Sequence, residues 1–185
     1  MRPAIVIVAS AVSVVAALSL SSSLRAATVS RTAVAKQPCR FVPVPPAAPT
    51  GEITLWGHIE SLVRRGRRFE LRFDPALWLG GATATRAAIE DKAIRPGEAV
   101  PNDYYVRDVD HRLLTYLVPA TARATVIVNT SQGFCARVVP VSELAQIVRG
   151  RNPKHRPLFD RANGLGYWIR VATDTIRSLD QQYQP

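Results

Sequence analysis

Alternating apolar and polar residues between positions 51 and 74 constrain the fold of this chain more than any other feature. Two runs place an apolar side chain at every second position, and these positions are Ile53, Leu55, Gly57 and Ile59, then Phe69, Leu71 and Phe73. This period is typical of strands that turn one face to a core. Because the arginine-rich residues 64–68 separate the runs, the pattern predicts a β-hairpin with a basic tip.

Helix signals occur at three places after the hairpin. Asp74 followed by Pro75 predicts the N-cap and first position of a short helix that ends near Gly80. The alanine-rich residues 83–92 predict a second small helix. Ser142 predicts the cap of a third helix, which is amphipathic.

Strand signals account for most of the remaining body, which runs from 51 to 185. They occur at residues 104–106, 113–118, 124–128, 138–139, 167–171 and 175–183, and the interval 129–137 reads as a loop. Together with the hairpin, they predict a β-rich α+β fold with two or three short helices. The sheet is expected to be twisted and antiparallel, or curled into a small, partly open barrel of the OB-like type.

The first 35 residues differ from this body. Arg2 precedes an uncharged apolar run that lasts to Leu20, and no acidic residue occurs before Glu52. This layout is typical of a secretory signal peptide, and residues 33–35 offer a small-x-small cleavage site. The run is also about long enough to cross a bilayer. Residues 1–35 are therefore predicted to be a signal peptide or an N-terminal membrane anchor, with the body secreted or held at the outer face of the cytoplasmic membrane.

Residues 36–50 contain five of the 14 prolines of the chain. Proline cannot donate the backbone hydrogen bonds of helices and sheets, so such a segment favours extended polyproline geometry. It is predicted to be a semi-rigid spacer, followed by a single extracytoplasmic domain over residues 51–185. An ordered arm packed on that domain is the alternative.

The chain is basic, with 24 Lys and Arg against 14 Asp and Glu and a net charge of +10. Two predicted loops concentrate this charge, and the candidate anion-binding residues are Arg64, Arg65, Arg67, Arg68, Arg151, Lys154 and Arg156. Guanidinium groups bind phosphate or carboxylate groups through paired hydrogen bonds. Outside the membrane, the expected anions are lipid headgroups or a phosphate-bearing cell-wall polymer, and nucleic acid is not an expected partner. Plain solvated turns are the alternative.

Two cysteines occur, Cys39 in the spacer and Cys135 in the body. In an exported chain, two cysteines most simply form one disulfide, which would tie the spacer to the domain. The alternative is that Cys135 is a reactive nucleophile, although no adjacent base is evident.

A group of polar residues lies between two strand signals, and its members are Asn102, Asp103, Asp108, Asp110 and His111. Their spacing fits no complete calcium loop, so no metal and no cofactor is predicted. Turn capping by the Asn and Asp side chains is the ordinary explanation. The same region supplies the residues of an alternative function, a small extracytoplasmic hydrolase that uses Asp103, Asp108 or His111. The tryptophans are expected to be mostly core, with one ring face available for stacking on a sugar.

Six segments in order carry a resemblance: GHIES at 57–61, FDPALWL at 73–79, PNDYYV at 101–106, LTYLVP at 114–119, YWI at 167–169 and DQQYQP at 180–185. They resemble a group of uncharacterised exported proteins of Gram-positive bacteria, actinobacteria and firmicutes among them. The similarity covers roughly residues 51–185, and PNDYY is its most specific part. The resemblance implies export and no particular activity, and the basic loops are not features of the group.

Charge, targeting and the lack of a catalytic motif favour a non-catalytic exported protein of the cell envelope. Its expected partner is an anionic surface or polymer, bound through the basic loops.

Overall fold

The computed structural model describes residues 47–108, 112–159 and 166–184. These residues form eight strands, two α-helices and one short 3₁₀ helix. In chain order they are β1 (Ile53–Arg65), β2 (Arg68–Gly80), α1 (Gly81–Glu90), the 3₁₀ helix (Pro101–Asp103), β3 (Tyr104–Arg107), β4 (Leu114–Pro119), β5 (Arg123–Thr130), β6 (Gly133–Val139), α2 (Val141–Ile147), β7 (Tyr167–Ala172) and β8 (Thr175–Gln181). The predicted signal or anchor, residues 1–35, lies outside the described residues.

Five strands form a ring of hydrogen bonds. Strand β2 pairs with β1 and β4, strand β7 pairs with β1 and β8, and one parallel pairing of Leu117 in β4 with Thr175 in β8 closes the ring. Strand β5 adds to β8 in parallel and carries β6, while β3 pairs with the second half of β2. The predicted β-rich fold with two or three short helices is confirmed.

The sheet is mixed, whereas the sequence predicted an antiparallel one. Strands β4 and β5 follow each other along β8 in the same direction, first at Thr175 and then at Ser178. Pro119 ends β4, and a turn in which the amide of Ala122 donates to the carbonyl of Pro119 leads into β5. Strands β4 and β5 therefore pair with successive parts of the same edge of β8, separated by the turn after Pro119.

The main core contains most of the apolar positions that the alternation predicted in the hairpin, but Ile53 at the start of β1 is 56% exposed. Leu71 and Phe73 of β2 are fully buried, together with Ile169 of β7 and Leu179 of β8. Leu144 of α2 belongs to the same cluster, so this helix covers part of the core. Each fully buried side chain of this size contributes about 1.5 to 3 kcal/mol to folding.

A second, small cluster lies between α1 and β3. Ala84 and Ala88 of the helix pack with Val100, and Tyr105 of β3 packs against them. Neither helix among the described residues has the length and apolar character needed to cross a lipid bilayer.

The helix predicted at Asp74 and Pro75 is wrong, because β2 continues through both residues to Gly80. Pro75 faces Gly57 of β1, where an added Cβ would lie 2.1 Å from the carbonyl oxygen of Asp74. The missing side chain at Gly57 thus lets the two backbones approach closely. Pairing of β3 with residues 77–80 holds the second half of β2 extended.

Two smaller predictions are also wrong. Residues 129–137 are not a loop, because β5 and β6 form a hairpin that turns at residues 131 and 132, before Gly133, where φ is +93°. Ser142 does not cap α2, since Pro140 occupies the N-cap position and no side chain makes a capping hydrogen bond. The carbonyl of Pro140 accepts from the amides of Glu143 and Leu144 instead.

Candidate functional site

The arginine tip, defined as Arg64, Arg65, Arg67 and Arg68, surrounds Gly66 at the turn between β1 and β2. All four side chains are exposed. Gly66 supplies the left-handed φ of +60° that the turn requires, and its carbonyl accepts a 3.1 Å hydrogen bond from Nε of Arg64. Only Arg65 has an acidic partner among the described residues, Glu70 at 3.5 Å. Because that pair is exposed, it is worth little, and the tip keeps its positive charge.

The second basic loop is different, because its cations surround a buried carboxylate. Glu143 of α2 is 3% exposed, and Arg156 donates hydrogen bonds to both of its carboxylate oxygens. Lys154 Nζ lies 3.3 Å from Oε2. The hydrogen bond from Arg156, with a further one from Lys154, lowers the pKa of Glu143 below its usual range. Among the candidate anion ligands of this loop, Lys154 and Arg156 are thus bound to Glu143, and Arg151 is exposed.

The loop is held in shape by Asn152. Its Nδ2 donates to the carbonyl of Arg156 at 2.6 Å, and its Oδ1 accepts from the amide of the same residue at 2.9 Å. This closed pair of bonds positions the guanidinium of Arg156 over the helix that carries Glu143. The loop therefore contributes to the structure of the domain through specific bonds.

The predicted polar site is spread out. Asp103 precedes β3 and Asp108 follows it, and both are exposed. At about 3.3 Å per residue, the strand places these two positions roughly 16 Å apart. Asp110 and His111 lie outside the described residues. Among the residues that the structure describes, no three His, Cys, Asp or Glu side chains form a metal-binding group.

The PNDYY element has a strained backbone and divides its two tyrosines. Asn102 and Asp103 have φ values of 56° and 58°, in the left-handed region that Asn and Asp adopt more readily than most residues. Tyr105 packs against the α1 cluster, and burial together with its hydrogen bond to Asp91 raises its pKa. Tyr104 faces the other side, where its ring stacks on Trp78 at 4.3 Å and an angle of 5°.

An aromatic cluster lies on the outer side of the ring of strands. Leu55 of β1 packs on the main core, so its neighbour Trp56 faces the opposite side. There the ring of Trp78 lies 5.4 Å from that of Trp56 and 6.2 Å from that of Trp168. The strand register explains the grouping, because Trp56 pairs directly with Trp168 across β1 and β7.

A cavity of about 400 Å³ opens beside this cluster. We call it the aromatic cavity, and it is lined by Trp56, His58, Pro101, Asn102, Tyr104, Tyr105, Val106 and Gln184. The sequence predicted a polar group that includes Asn102 and a strand at residues 104–106, but it did not indicate that His58 and Gln184 lie beside them. Pairing of β1 with β2, and of β2 with β3, brings these distant segments together.

Cys135 lies in β6 and is fully buried. Its Sγ is 3.3 Å from Oγ1 of Thr130. Its predicted disulfide partner, Cys39, lies outside the described residues, so the disulfide stays a prediction.

Comparisons with models of known protein families, with curated proteins and with solved structures found no match.

Proposed function

We propose that this protein is a non-catalytic, exported binding protein that attaches to phosphate groups of the cell envelope through the arginine tip. The observation that carries the proposal is the set of four exposed arginines at one hairpin turn, of which only Arg65 has an acidic neighbour among the described residues. Guanidinium groups bind phosphate oxygens in pairs and keep their charge at any physiological pH. The tip therefore offers several such pairs within one turn.

The alternative, a hydrolase that uses the region of Asp103, Asp108 and His111, has less support. Hydrolysis by two carboxylates needs both within several ångströms of one scissile bond. The two exposed positions are instead separated by the length of β3. Binding without chemistry is therefore the better use of this surface.

Export is part of the proposal and is supported by the apolar segment after Arg2. N-terminal sequencing of the mature protein, combined with protease accessibility in intact cells, tests it. We expect the domain to be cleaved by external protease. A start at the first methionine together with full protection inside the cell would contradict export.

Two sources supply the phosphate chemistry, lipid headgroups and a polyol-phosphate wall polymer. The test measures binding of the full chain to phosphatidylglycerol vesicles and, separately, to soluble poly(glycerol phosphate), each over a range of salt. The tip variant is Arg64→Gln, Arg67→Gln and Arg68→Gln combined. A matched control, Arg86→Gln, Lys92→Gln and Arg95→Gln combined, removes the same charge from exposed positions around α1.

We expect the tip variant to lose at least about tenfold of the salt-dependent binding, and the control to lose much less. Any binding to vesicles that does not depend on salt is attributed to the apolar N-terminal run, and it is subtracted before the variants are compared. If the tip variant loses binding only to the vesicles or only to poly(glycerol phosphate), that result identifies the phosphate source. Equal loss in both triple variants would show that net charge, and not the tip, is responsible, and would overturn the proposal.

A further inference from the structure

All three tryptophans of the chain meet in the aromatic cluster. Neither of the two apolar clusters formed by the described residues contains a tryptophan. The cluster therefore lies apart from these two, on the outer side of the ring, and within it Trp56 and Trp168 are buried, as expected for most of the tryptophans. Trp78 and Tyr104 are only partly buried, although they stack face to face. Of these two rings, Tyr104 lines the cavity, where it offers flat apolar surface to a ligand.

We propose that the aromatic cavity binds an uncharged sugar ring of a saccharide. Its volume of about 400 Å³ falls in the range of small-molecule sites. Its lining combines aromatic rings with the side-chain amides of Asn102 and Gln184 and the imidazole of His58. An amide presents a donor and an acceptor side by side, which matches neighbouring hydroxyl groups on a sugar. The apolar face of the same sugar packs on an aromatic ring.

The absence of acidic side chains, lysine and arginine from the lining disfavours charged ligands. No carboxylate, lysine or arginine is among the lining residues. A phosphate or carboxylate ligand would be desolvated there without a counter-charge, which is costly. The site therefore differs in chemistry from the arginine tip.

The two surfaces are also separated in space. Trp56 and Arg65 lie on the same strand, β1, nine residues apart. At about 3.3 Å per residue this corresponds to roughly 30 Å. The sugar site consequently does not depend on the phosphate binding proposed for the tip.

One further observation points to a ligand. Asn102, which lines the cavity, and the next residue, Asp103, both have left-handed conformations. Such backbone strain persists where the surrounding structure enforces it, and it concentrates at ligand sites.

Intrinsic fluorescence tests the proposal directly, because every tryptophan of the chain belongs to this cluster. The full chain is titrated with chitotriose, cellotriose and maltotriose, and with adenine as a flat ligand that contains no sugar. We expect a saturable change with at least one trisaccharide, unaffected by salt. No saturable change with any trisaccharide up to about 10 mM, or a response to adenine alone, would overturn the proposal.

Variants locate the site. Asn102→Gly removes the amide and suits the left-handed φ of 56°, and Gln184→Ala removes the second amide beyond the last strand. The double variant is expected to bind the responding trisaccharide about tenfold more weakly. If it melts early, Gln184→Ala alone is used. Gln132→Ala, an exposed amide at the β5–β6 turn, and the arginine-tip variant should bind normally. Unchanged binding in both site variants would overturn the assignment.

Discussion

The two basic loops, the arginine tip and the loop after α2, look similar in the sequence but have different roles in the structure. Both gather several cations within a few residues. In the loop after α2, Arg156 and Lys154 bind the buried Glu143, so this carboxylate offsets part of their charge. At the arginine tip, the charge stays exposed, and Glu70 offsets it only weakly.

This difference shows that a basic residue contributes to folding or remains available for binding according to the acidic partner it contacts. A cation beside a buried carboxylate stabilises the fold, because removing it leaves that carboxylate without compensation. A cation without such a partner has little effect on folding and remains available for binding. Stability measurements can therefore separate the two loops without knowledge of any ligand.

The largest effect is expected at the shared carboxylate. Glu143→Gln removes the acceptor charge of Arg156 and Lys154 and should lower the free energy of unfolding by about 2 to 3 kcal/mol at pH 7. Urea denaturation measures it. Glu60→Gln, which neutralises an exposed acid, is the control and should change little. Equal stability of the two variants would contradict the structural role of the loop.

The same carboxylate predicts a pH dependence. Its pKa is lower in the folded than in the unfolded chain, where it is about 4.3. The stabilisation is thus complete above the unfolded pKa and is lost as pH falls through the folded pKa. The stability difference between wild type and Glu143→Gln should shrink below about pH 4.3. Parallel urea titrations from pH 7 to pH 3 would show it, and a constant difference would refute it.

A direct comparison of one arginine from each loop should give a smaller effect. Arg156→Gln leaves Glu143 with Lys154 alone and should cost about 1 to 2 kcal/mol. Arg67→Gln removes an exposed charge and should change stability by less than about 0.5 kcal/mol. Thermal melts of both variants beside wild type measure this. Equal losses would mean that the tip, too, is part of the fold.

The smallest effect is expected within the second loop. The side chain of Lys154 is 58% exposed, against 25% for Arg156, although both contact Glu143. Solvent screens an exposed pair, so Lys154→Gln should cost less than about 0.5 kcal/mol. A loss as large as that of Arg156→Gln, measured by the same melts, would show that contact and not burial determines the contribution.

Local patterns predicted the local parts of the fold. The alternation between Ile53 and Phe73 predicted the hairpin, because in a half-buried strand the residue type at each position indicates whether that side chain faces the core or the solvent. Asp74 and Pro75 failed for the opposite reason, since their conformation depends on Gly57 in the facing strand. The sequence likewise showed the cations of both loops but not which of them would meet Glu143.

The candidate sites also differ in whether neighbouring residues or distant segments form them. The arginine tip was predictable, because one turn contains all of it. The aromatic cavity was not, because Trp56, Tyr104 and Gln184 come together only through the register of β1, β2 and β3 and the course of the chain after β8. The possibility of a sugar-stacking face came from composition alone, without its location.

Strand β8 also determines when this domain can become compact. It joins β7, β4 and β5, and its Asp180 meets Thr125, which lies 55 residues earlier in the sequence. Pairing of segments so far apart must first overcome the entropy of closing a long loop, which slows folding. Before residues 175–181 are available, the edges of three strands remain unpaired and the core stays open. A chain made from its N-terminus onward therefore cannot complete this core before residues 175–181 have been made.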